Sequence, residues 1–231
     1  MKSQLTKASL AVASLLLVFG ATTAQAAIGT IVGSKHDFTT GTYRGTNNAV
    51  SPTGQVCIYC HAPHNNTNAA GNLLWNRAAS AATYIPYSSP TMQASPAPSA
   101  TINAISKVCL SCHDGSIAVD SFGTFTGSVV ATGTALIGPN LSNDHPISFV
   151  YNATLVTADP GLRAVSTAAT IGAANVGTIE SKMLFGATGA ATLECASCHD
   201  VHNSLAGTAV QSKLLKITTD GSKLCITCHA K

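Results

Sequence analysis

The sequence is poor in charged and in aromatic residues. Charged side chains make up 9% and aromatic side chains 5% of its 231 residues. So few charges exclude the concentrated positive surface that nucleic acids and anionic membranes require of a partner. So few aromatic rings leave little large apolar volume to fill the core of a domain of this length. Either the chain is partly disordered, or something other than its own side chains fills the interior.

The sequence also lacks a long apolar segment after its first residues. Lys2 and Lys7 precede an apolar run from Leu10 to Phe19, and Ala24-Gln25-Ala26 forms a small-residue cleavage pattern. The run is too short to span a bilayer, so it predicts a cleaved signal peptide over residues 1–26, with a retained anchor as the alternative. Cleavage leaves ten of the twelve Lys+Arg against nine Asp+Glu, a net charge of +1. We expect an exported protein with no membrane span, whose mature part, residues 27–231, is one domain.

No cysteine lies outside a single repeated pattern, Cys-x-x-Cys-His. This pattern is the attachment signature of c-type haem, in which two thiols add to the two vinyl groups of one porphyrin and the histidine binds the iron. Four copies predict four covalently attached haems. The copies, named here motifs 1 to 4, are Cys57, Cys60 and His61; Cys109, Cys112 and His113; Cys195, Cys198 and His199; and Cys225, Cys228 and His229.

Two other uses of eight cysteines are possible. In an exported protein they could form four disulfides, and paired Cys-x-x-Cys motifs could hold structural zinc. Neither use explains why a histidine follows every pair directly. The haem interpretation explains it, because each iron needs a proximal ligand.

Four histidines remain outside the motifs, one for each expected iron: His36, His64, His145 and His202. An iron that only carries electrons commonly takes a second axial ligand, His or Met. The equal numbers predict four bis-histidine haems. Met92 and Met183, the other soft candidates of the mature chain, are expected to pack instead.

The positions of these histidines carry further information. His64 and His202 each follow a motif histidine by three residues, too close to reach the opposite face of the same haem. We therefore expect them to bind neighbouring haems, with plain surface residues as the alternative. His145 precedes a proline, and Asp144 could orient its imidazole. His36 lies early in the mature chain and could bind a haem of its own chain or of a neighbouring subunit.

Regular secondary structure is expected to be scarce. Segment 78–103 is rich in Ala, Ser, Pro and Thr, which favours irregular structure. Ser121 to Ile137 alternates Thr or Gly with apolar residues, which predicts short β-like pieces. We predict a mostly irregular fold with short helices at the haem motifs, a few short strands, and the four haems as the core. The best candidate for a helix outside the motifs is Ala164 to Ala174.

Several segments in order resemble a known family. They are CIYCHAPH at 57–64, LWNR at 74–77, CLSCHDG at 109–115, NDHPISF at 143–149, CASCHDVHN at 195–203 and LCITCHAK at 224–231. They are similar to the doubled-Cys-x-x-Cys-His multihaem cytochromes of metal-reducing bacteria. Four motifs in this length resemble the OmcE-type outer-surface tetrahaem cytochromes, which polymerise into filaments. The resemblance implies an extracellular homopolymer with a continuous haem chain, in which His36 would match an inter-subunit ligand by position only.

These observations favour an electron carrier rather than an enzyme. Irons closed by two histidines exchange electrons without binding substrate, and the partners would be redox proteins or extracellular electron acceptors. A multihaem reductase would need one open iron with acid and base groups around it. A monomeric periplasmic shuttle would usually display a charged docking patch, which the near-neutral chain does not show. No catalytic residue is therefore predicted.

Overall fold

The protein is described by a computed structural model. The model describes residues 31–39, 55–62, 64, 74–94, 102–172, 175–205 and 213–230. All eight cysteines and all eight histidines lie in these ranges. The expected signal peptide, residues 1–26, lies outside the described residues.

Short helices are the main regular elements, and three of them contain a haem motif. Motif 2 ends helix α1, motif 3 begins helix α4, and motif 4 ends helix α5. Motif 1 forms a single hydrogen-bonded turn, in which the His61 amide donates to the Cys57 carbonyl over 2.9 Å. The helices in the described residues are α1 (Ala104–His113), α2 (Ala153–Ala158), α3 (Ile179–Met183), α4 (Cys195–Cys198) and α5 (Lys223–Cys228), with 3₁₀ turns at Gly133–Ala135 and Asp220–Ser222.

Two small antiparallel sheets hold the second half of the chain together. Strand β1 (Phe149–Val150) pairs with β4 (Thr192–Leu193), and β2 (Ala168–Ile171) pairs with β3 (Asn175–Thr178). The helix predicted for Ala164 to Ala174 is wrong, because β2 lies at the centre of that segment. The short β-like pieces expected over 121–137 are reduced to an isolated bridge between Phe122 and Phe125. Burial alternates along β2, with Ala169 and Ile171 inside, and this period of two belongs to a strand. The predicted low content of regular structure is confirmed.

Side chains form three buried clusters. The largest packs sheet and helix residues of the second half, and Met183 lies in it, as expected for a packing methionine. The two smaller clusters lie beside motifs 1 and 2. The members are Phe149, Tyr151, Leu155, Ala169, Ile171, Ile179, Met183, Leu184, Ala191 and Leu193; then Tyr84, Ile102, Leu110 and Leu141; then Phe38, Tyr59 and Val119.

Candidate haem-binding sites

Each motif is wound as one helical turn that brings its three functional side chains together. The histidine amide donates to the carbonyl of the first cysteine, over 2.9 Å in motif 1, 3.1 Å in motif 3 and 2.9 Å in motif 4. In motif 2 the same residues lie inside α1. At 3.6 residues per turn, positions three and four apart share one face of a helix. Both thiols and the imidazole of a motif therefore point to one side.

Backbone pairing with another segment holds the chain just after the histidine in three motifs. In motifs 1, 3 and 4 the backbone becomes extended at the histidine and pairs with another segment, at Trp75, Leu215 and Leu162 respectively. The residue after the histidine donates to that segment, and the segment donates back to the second cysteine carbonyl. The bonds are Ala62 to Leu74 at 2.9 Å with Asn76 to Cys60 at 2.9 Å; Asp200 to Leu214 at 2.7 Å with Lys216 to Cys198 at 2.8 Å; and Ala230 to Gly161 at 2.8 Å with Arg163 to Cys228 at 2.7 Å.

Motif 2 is held differently. The His113 carbonyl accepts from the Ile137 amide at 2.7 Å and from the Gly138 amide at 3.1 Å. The segment that binds it follows the motif by about two dozen residues of irregular chain. Pairing of all four histidines with a second segment was not predicted, because it depends on contacts between residues distant in the sequence.

Three imidazoles have one nitrogen fixed by a backbone carbonyl. Nδ1 of His113 lies 2.6 Å from the Ala135 oxygen, and Nδ1 of His199 lies 2.9 Å from the Lys213 oxygen. A carbonyl only accepts, so Nδ1 carries the proton and Nε2 keeps its lone pair for a metal. Nδ1 of His145 lies 2.9 Å from the Pro146 oxygen. The expected orientation of His145 by Asp144 is thus replaced by a bond to the neighbouring proline carbonyl.

The structure brings three motif histidines next to histidines from outside the motifs. The ring centroids of His61 and His202 lie 6.1 Å apart, with their planes inclined by only 20°. A metal–imidazole bond of about 2 Å on each side of one ion puts two opposed ring centroids roughly 6 Å apart. The spacing therefore fits an iron between the two rings. The other two pairs are His36 with His113 at 6.0 Å and His145 with His229 at 6.4 Å.

The fourth proximal histidine, His199, and the fourth distal candidate, His64, both lie exposed at the surface. They are the two histidines that belong to none of the three ring pairs. His61 and His202 come from motif 1 and from the segment after motif 3. His199 and His64 come from motif 3 and from the segment after motif 1, so a fourth pair would be the reciprocal of the first.

His36 lies inside its own chain. Its ring also contacts Phe38, with centroids 5.9 Å apart, and its Nδ1 is buried with no hydrogen-bond partner among the described residues. Burial, and then the positive charges of His113 and His199, lower the pKa of His36 to about 4. A neutral imidazole with an unused nitrogen suits a metal ligand. Of the two uses of His36 left open by the sequence, the contact with His113 favours the intramolecular one.

The eight thiols are free and their contacts connect successive motifs. Burial raises the pKa of Cys60 and of Cys228 to about 11, which keeps these thiols protonated at neutral pH. The thiols of Cys109 in motif 2 and Cys195 in motif 3 interact, and this interaction raises the pKa of Cys109 and lowers the pKa of Cys195. The sequence left structural zinc as one alternative use of the cysteines. Among the described residues no group of three or more His, Cys, Asp or Glu side chains is placed to hold a metal ion.

Five of the nine exposed large apolar side chains of the described residues lie in or next to the motif segments. Large apolar residues cost free energy when they face water, so a group of them beside one type of site indicates a surface that a hydrophobic ligand covers. A porphyrin is such a ligand. The exposed apolar residues within or directly beside the motifs, or next to their backbone partners, are Leu74, Leu136, Ile137, Val201 and Ile226.

Several charged residues near the motifs are buried, among them Asp114 directly after His113, and the sequence did not predict the burial of the two most enclosed. Arg77 and Glu194 are each 1% exposed. Glu194 directly precedes Cys195 in a chain with few acidic residues. This position was the one feature of the sequence that could have indicated a special role for Glu194. Arg77 follows Trp75 and Asn76 in the LWNR segment, which indicated a family resemblance and no role for the arginine.

Comparison with known proteins agrees with this geometry in part of the chain. A family model described as "Doubled CXXCH motif" matches residues 188–231, which contain motifs 3 and 4. The match supports a multihaem c-type cytochrome-like family and covalently bound c-type haem. No curated protein matches the chain.

The match also bears on location. Attachment of c-type haem takes place outside the cytoplasm. No helix in the described part of the chain is long and apolar enough to cross a membrane.

Proposed function

We propose that this chain is an electron carrier with four c-type haems, each iron closed by two histidines. The observation that carries the proposal is the set of three ring pairs spaced for one metal ion each. The proximal ligands would be His61, His113, His199 and His229, and the distal ligands, in the same order, His202, His36, His64 and His145. The thiols of motifs 1 to 4 would hold the porphyrins.

The residues of the chain would perform two tasks. The helical turn of each motif aims two thiols and an imidazole at one porphyrin. The backbone carbonyls of Ala135, Lys213 and Pro146 fix Nδ1 of three ligands and so leave Nε2 for iron. When bound, the haem groups supply one-electron chemistry between ferric and ferrous iron. With both axial positions taken by histidine, no position remains for a substrate.

The contacts between motifs support transfer within the chain. Helices α1 and α4, which carry motifs 2 and 3, are in contact, and the Cys195 amide donates to the Ser106 hydroxyl at 3.0 Å. The ring of His202, three residues after motif 3, lies beside the ring of motif 1. Motifs 1, 2 and 3 are thereby connected through side chains, and the carrier would pass electrons among its own haems.

Covalent haem content and spin state test this proposal. Mass spectrometry and the pyridine haemochrome assay of the exported protein are expected to give four haems per chain. Ferric electron paramagnetic resonance is expected to give only low-spin signals. A high-spin signal from the wild type would support a reductase with an open iron, and fewer than four haems would refute the tetrahaem assignment.

A filament on the cell surface is the second candidate. It is favoured by the resemblance of the motifs to filament-forming cytochromes and by the low net charge, which weakens repulsion between copies. A periplasmic shuttle remains its competitor. The neighbouring His113 makes His36 a less suitable inter-subunit ligand than the sequence suggested. Electron microscopy of the exported wild type and of His36→Ala separates the cases: dispersed wild-type particles would refute the filament, and filaments with six-coordinate haems in the variant would exclude His36 as the link.

A further inference from the structure

A loop, and not packing, holds the histidine that lies beside the ring of motif 1. His202 is exposed at the surface, yet its ring centroid lies 6.1 Å from that of His61, with the planes inclined by only 20°. An exposed side chain gains little free energy from burial, so packing contributes little to this position. The direction of an axial ligand must still be fixed, and the groups around it usually do so. The contacts that fix it lie in residues 200–205, named here the distal loop.

The carboxylate of Asp200 closes the distal loop. Its Oδ2 atom accepts from the Ser204 amide at 2.6 Å, the Ser204 hydroxyl at 2.7 Å and the Leu205 amide at 3.2 Å. Its Oδ1 atom accepts from the His202 amide at 3.3 Å. The two oxygens of a carboxylate offer about four acceptor positions, so one side chain takes every one of these donors. The backbone from His202 to Leu205 is thereby tied to Asp200.

Both ends of the distal loop are attached to the rest of the protein. At its start, the Asp200 amide donates to the Leu214 carbonyl at 2.7 Å, in the backbone pairing that holds motif 3. At its end, Leu205 packs against the largest apolar cluster and lies so close to Gly172 that a Cβ atom there would come within 2.8 Å of the Leu205 oxygen. Between them, Asn203 is 2% exposed and has a φ of 53°, which asparagine tolerates. The backbone therefore follows a fixed path past the ligand.

The first half of the chain provides a comparison. Ala62 and His64 occupy, after motif 1, the positions that Asp200 and His202 occupy after motif 3. An alanine side chain has no acceptor, so the segment after motif 1 cannot be closed in the same way. The segment with the aspartate is the one whose histidine lies beside the ring of His61. The aspartate and the ring pair thus occur in the same segment.

Lys216 is a cation near enough to act on this carboxylate. Burial lowers the pKa of Lys216, and Asp200 partly opposes that lowering. The Lys216 Nζ atom donates to the Lys182 carbonyl at 3.2 Å and lies over the Phe185 ring, 5.2 Å from its centroid. Its attraction for Asp200 is a further contribution to the position of the carboxylate, and a variant without the charge separates it from the hydrogen bonds.

We propose that Asp200, which follows motif 3, is a positioning residue for the haem of motif 1, because its hydrogen bonds close the distal loop and so present the His202 imidazole to that iron. It acts through His202 and is not itself a ligand. The inference rests on the electron-carrier proposal, which assigns His61 and His202 to one iron. It adds that the sixth ligand of one haem depends on a side chain next to the motif of another. Without the carboxylate, that iron loses its distal ligand while the thiols that attach its haem stay in place.

Ferric electron paramagnetic resonance of the exported, haem-loaded protein tests the inference. Asp200→Ala removes all four hydrogen bonds of the carboxylate and is expected to turn one haem from low spin to high spin, with the covalent haem content unchanged. Added imidazole is expected to restore the low-spin signal, since it can bind the vacated position. When Cys57→Ser and Cys60→Ser are added, the high-spin signal is expected to disappear, because the affected haem is then absent.

Two controls separate hydrogen bonding from charge and from the general loss of a carboxylate. Asp200→Asn removes the negative charge, and with it the attraction to Lys216, but keeps an oxygen that can accept from the Ser204 donors. It is expected to remain low-spin. Glu180→Ala removes a carboxylate that closes a different loop by accepting from the Gly189 amide at 2.8 Å, and it is expected to remain low-spin as well.

Hydrogen exchange in the wild type keeps the inference testable if Asp200→Ala does not fold. In the reduced protein, the amides of Ser204 and Leu205 are expected to exchange slowly because they are hydrogen-bonded, and rapid exchange of both would overturn the inference. If the wild type has four low-spin haems, the inference alone is overturned by a low-spin Asp200→Ala, by an Asp200→Asn that behaves like Asp200→Ala, or by a high-spin signal that persists without the haem of motif 1. Fewer haems or a high-spin signal in the wild type would instead overturn the electron-carrier proposal.

Discussion

Motifs 1 and 2 and motifs 3 and 4 use the same local geometry over segments of different length. Residues 62–108 separate the first two motifs, whereas residues 200–224 separate the last two. In both halves a histidine follows the first motif of the pair by three residues. In both, the first motif is held by a returning segment that begins with a leucine at positive φ, Leu74 at 51° and Leu214 at 52°.

The difference lies in what the returning segment does next. Aligned on these leucines, Arg77 of the first half corresponds to Ile217 of the second. Arg77 reaches into backbone carbonyls, whereas Ile217 packs against the largest apolar cluster. At this aligned position the second half therefore has a side chain packed on the largest apolar cluster, and the first half has a buried cation. Both halves hold the returning segment by backbone pairing. The side chains at the aligned positions differ, with a charged residue in the first half and an apolar residue in the second.

Removal of both thiols of one motif is the change expected to have the largest effect in this comparison. Cys195→Ser with Cys198→Ser is expected to leave three haems per chain and to lower the melting temperature. The same double change at Cys225 and Cys228 is expected to cost one haem with a smaller loss of stability. Motif 3 lies against motif 2, since α4 contacts α1, and the His202 ring that follows motif 3 lies beside the His61 ring of motif 1. Loss of motif 3 therefore removes more contacts. Haem assays and thermal unfolding measure both; equal destabilisation would contradict a central position for motif 3.

Substitution at the aligned positions of the two halves has the next largest effect. Arg77→Ala leaves four buried carbonyls without their donor, and we expect it to cost about 3–5 kcal/mol of unfolding free energy. Ile217→Ala removes a partly buried side chain and is expected to cost about 1–2 kcal/mol. Urea unfolding at equal haem content gives both values. Similar costs at the two positions would show that the halves are stabilised alike.

The two leucines at positive φ give the most local test, and it includes the smallest expected effect. Leu214 is 4% exposed, so Leu214→Asn buries an amide and is expected to cost about 2–4 kcal/mol. Leu74 is 45% exposed, and asparagine tolerates the left-handed conformation, so Leu74→Asn is expected to stay within about 0.5 kcal/mol of the wild type. Chemical denaturation distinguishes them, and a large loss at Leu74 would mean that its side chain is covered in the haem-loaded protein.

Much of the candidate site could be predicted because covalent attachment fixes residue type and spacing. The four motifs, the four extra histidines and the low content of regular structure all follow from local sequence. The spacing of His202 after motif 3 also predicted a partner outside its own motif, and its ring lies beside that of His61. Whether these rings share an iron stays a prediction.

The remainder depends on contacts across the chain, which local patterns do not encode. Segment 164–174 lacks helix-breaking residues at its centre, yet pairing with Asn175–Thr178 makes Ala168–Ile171 a strand. His145 uses the Pro146 carbonyl rather than Asp144, because the proline fixes that carbonyl beside the ring. Glu194 accepts hydrogen bonds from residues up to 91 positions away in the chain, so its burial could not be inferred from its sequence neighbours.

The pairing of His61 with His202 is the central claim, and spin-state counting in two variants tests it most directly. In His202→Ala, ferric electron paramagnetic resonance is expected to show one high-spin haem. Adding Cys57→Ser and Cys60→Ser, which remove the haem of motif 1, is expected to abolish that signal and leave three low-spin haems. A high-spin signal that persists after motif 1 has lost its haem would place His202 on a different iron and contradict the account.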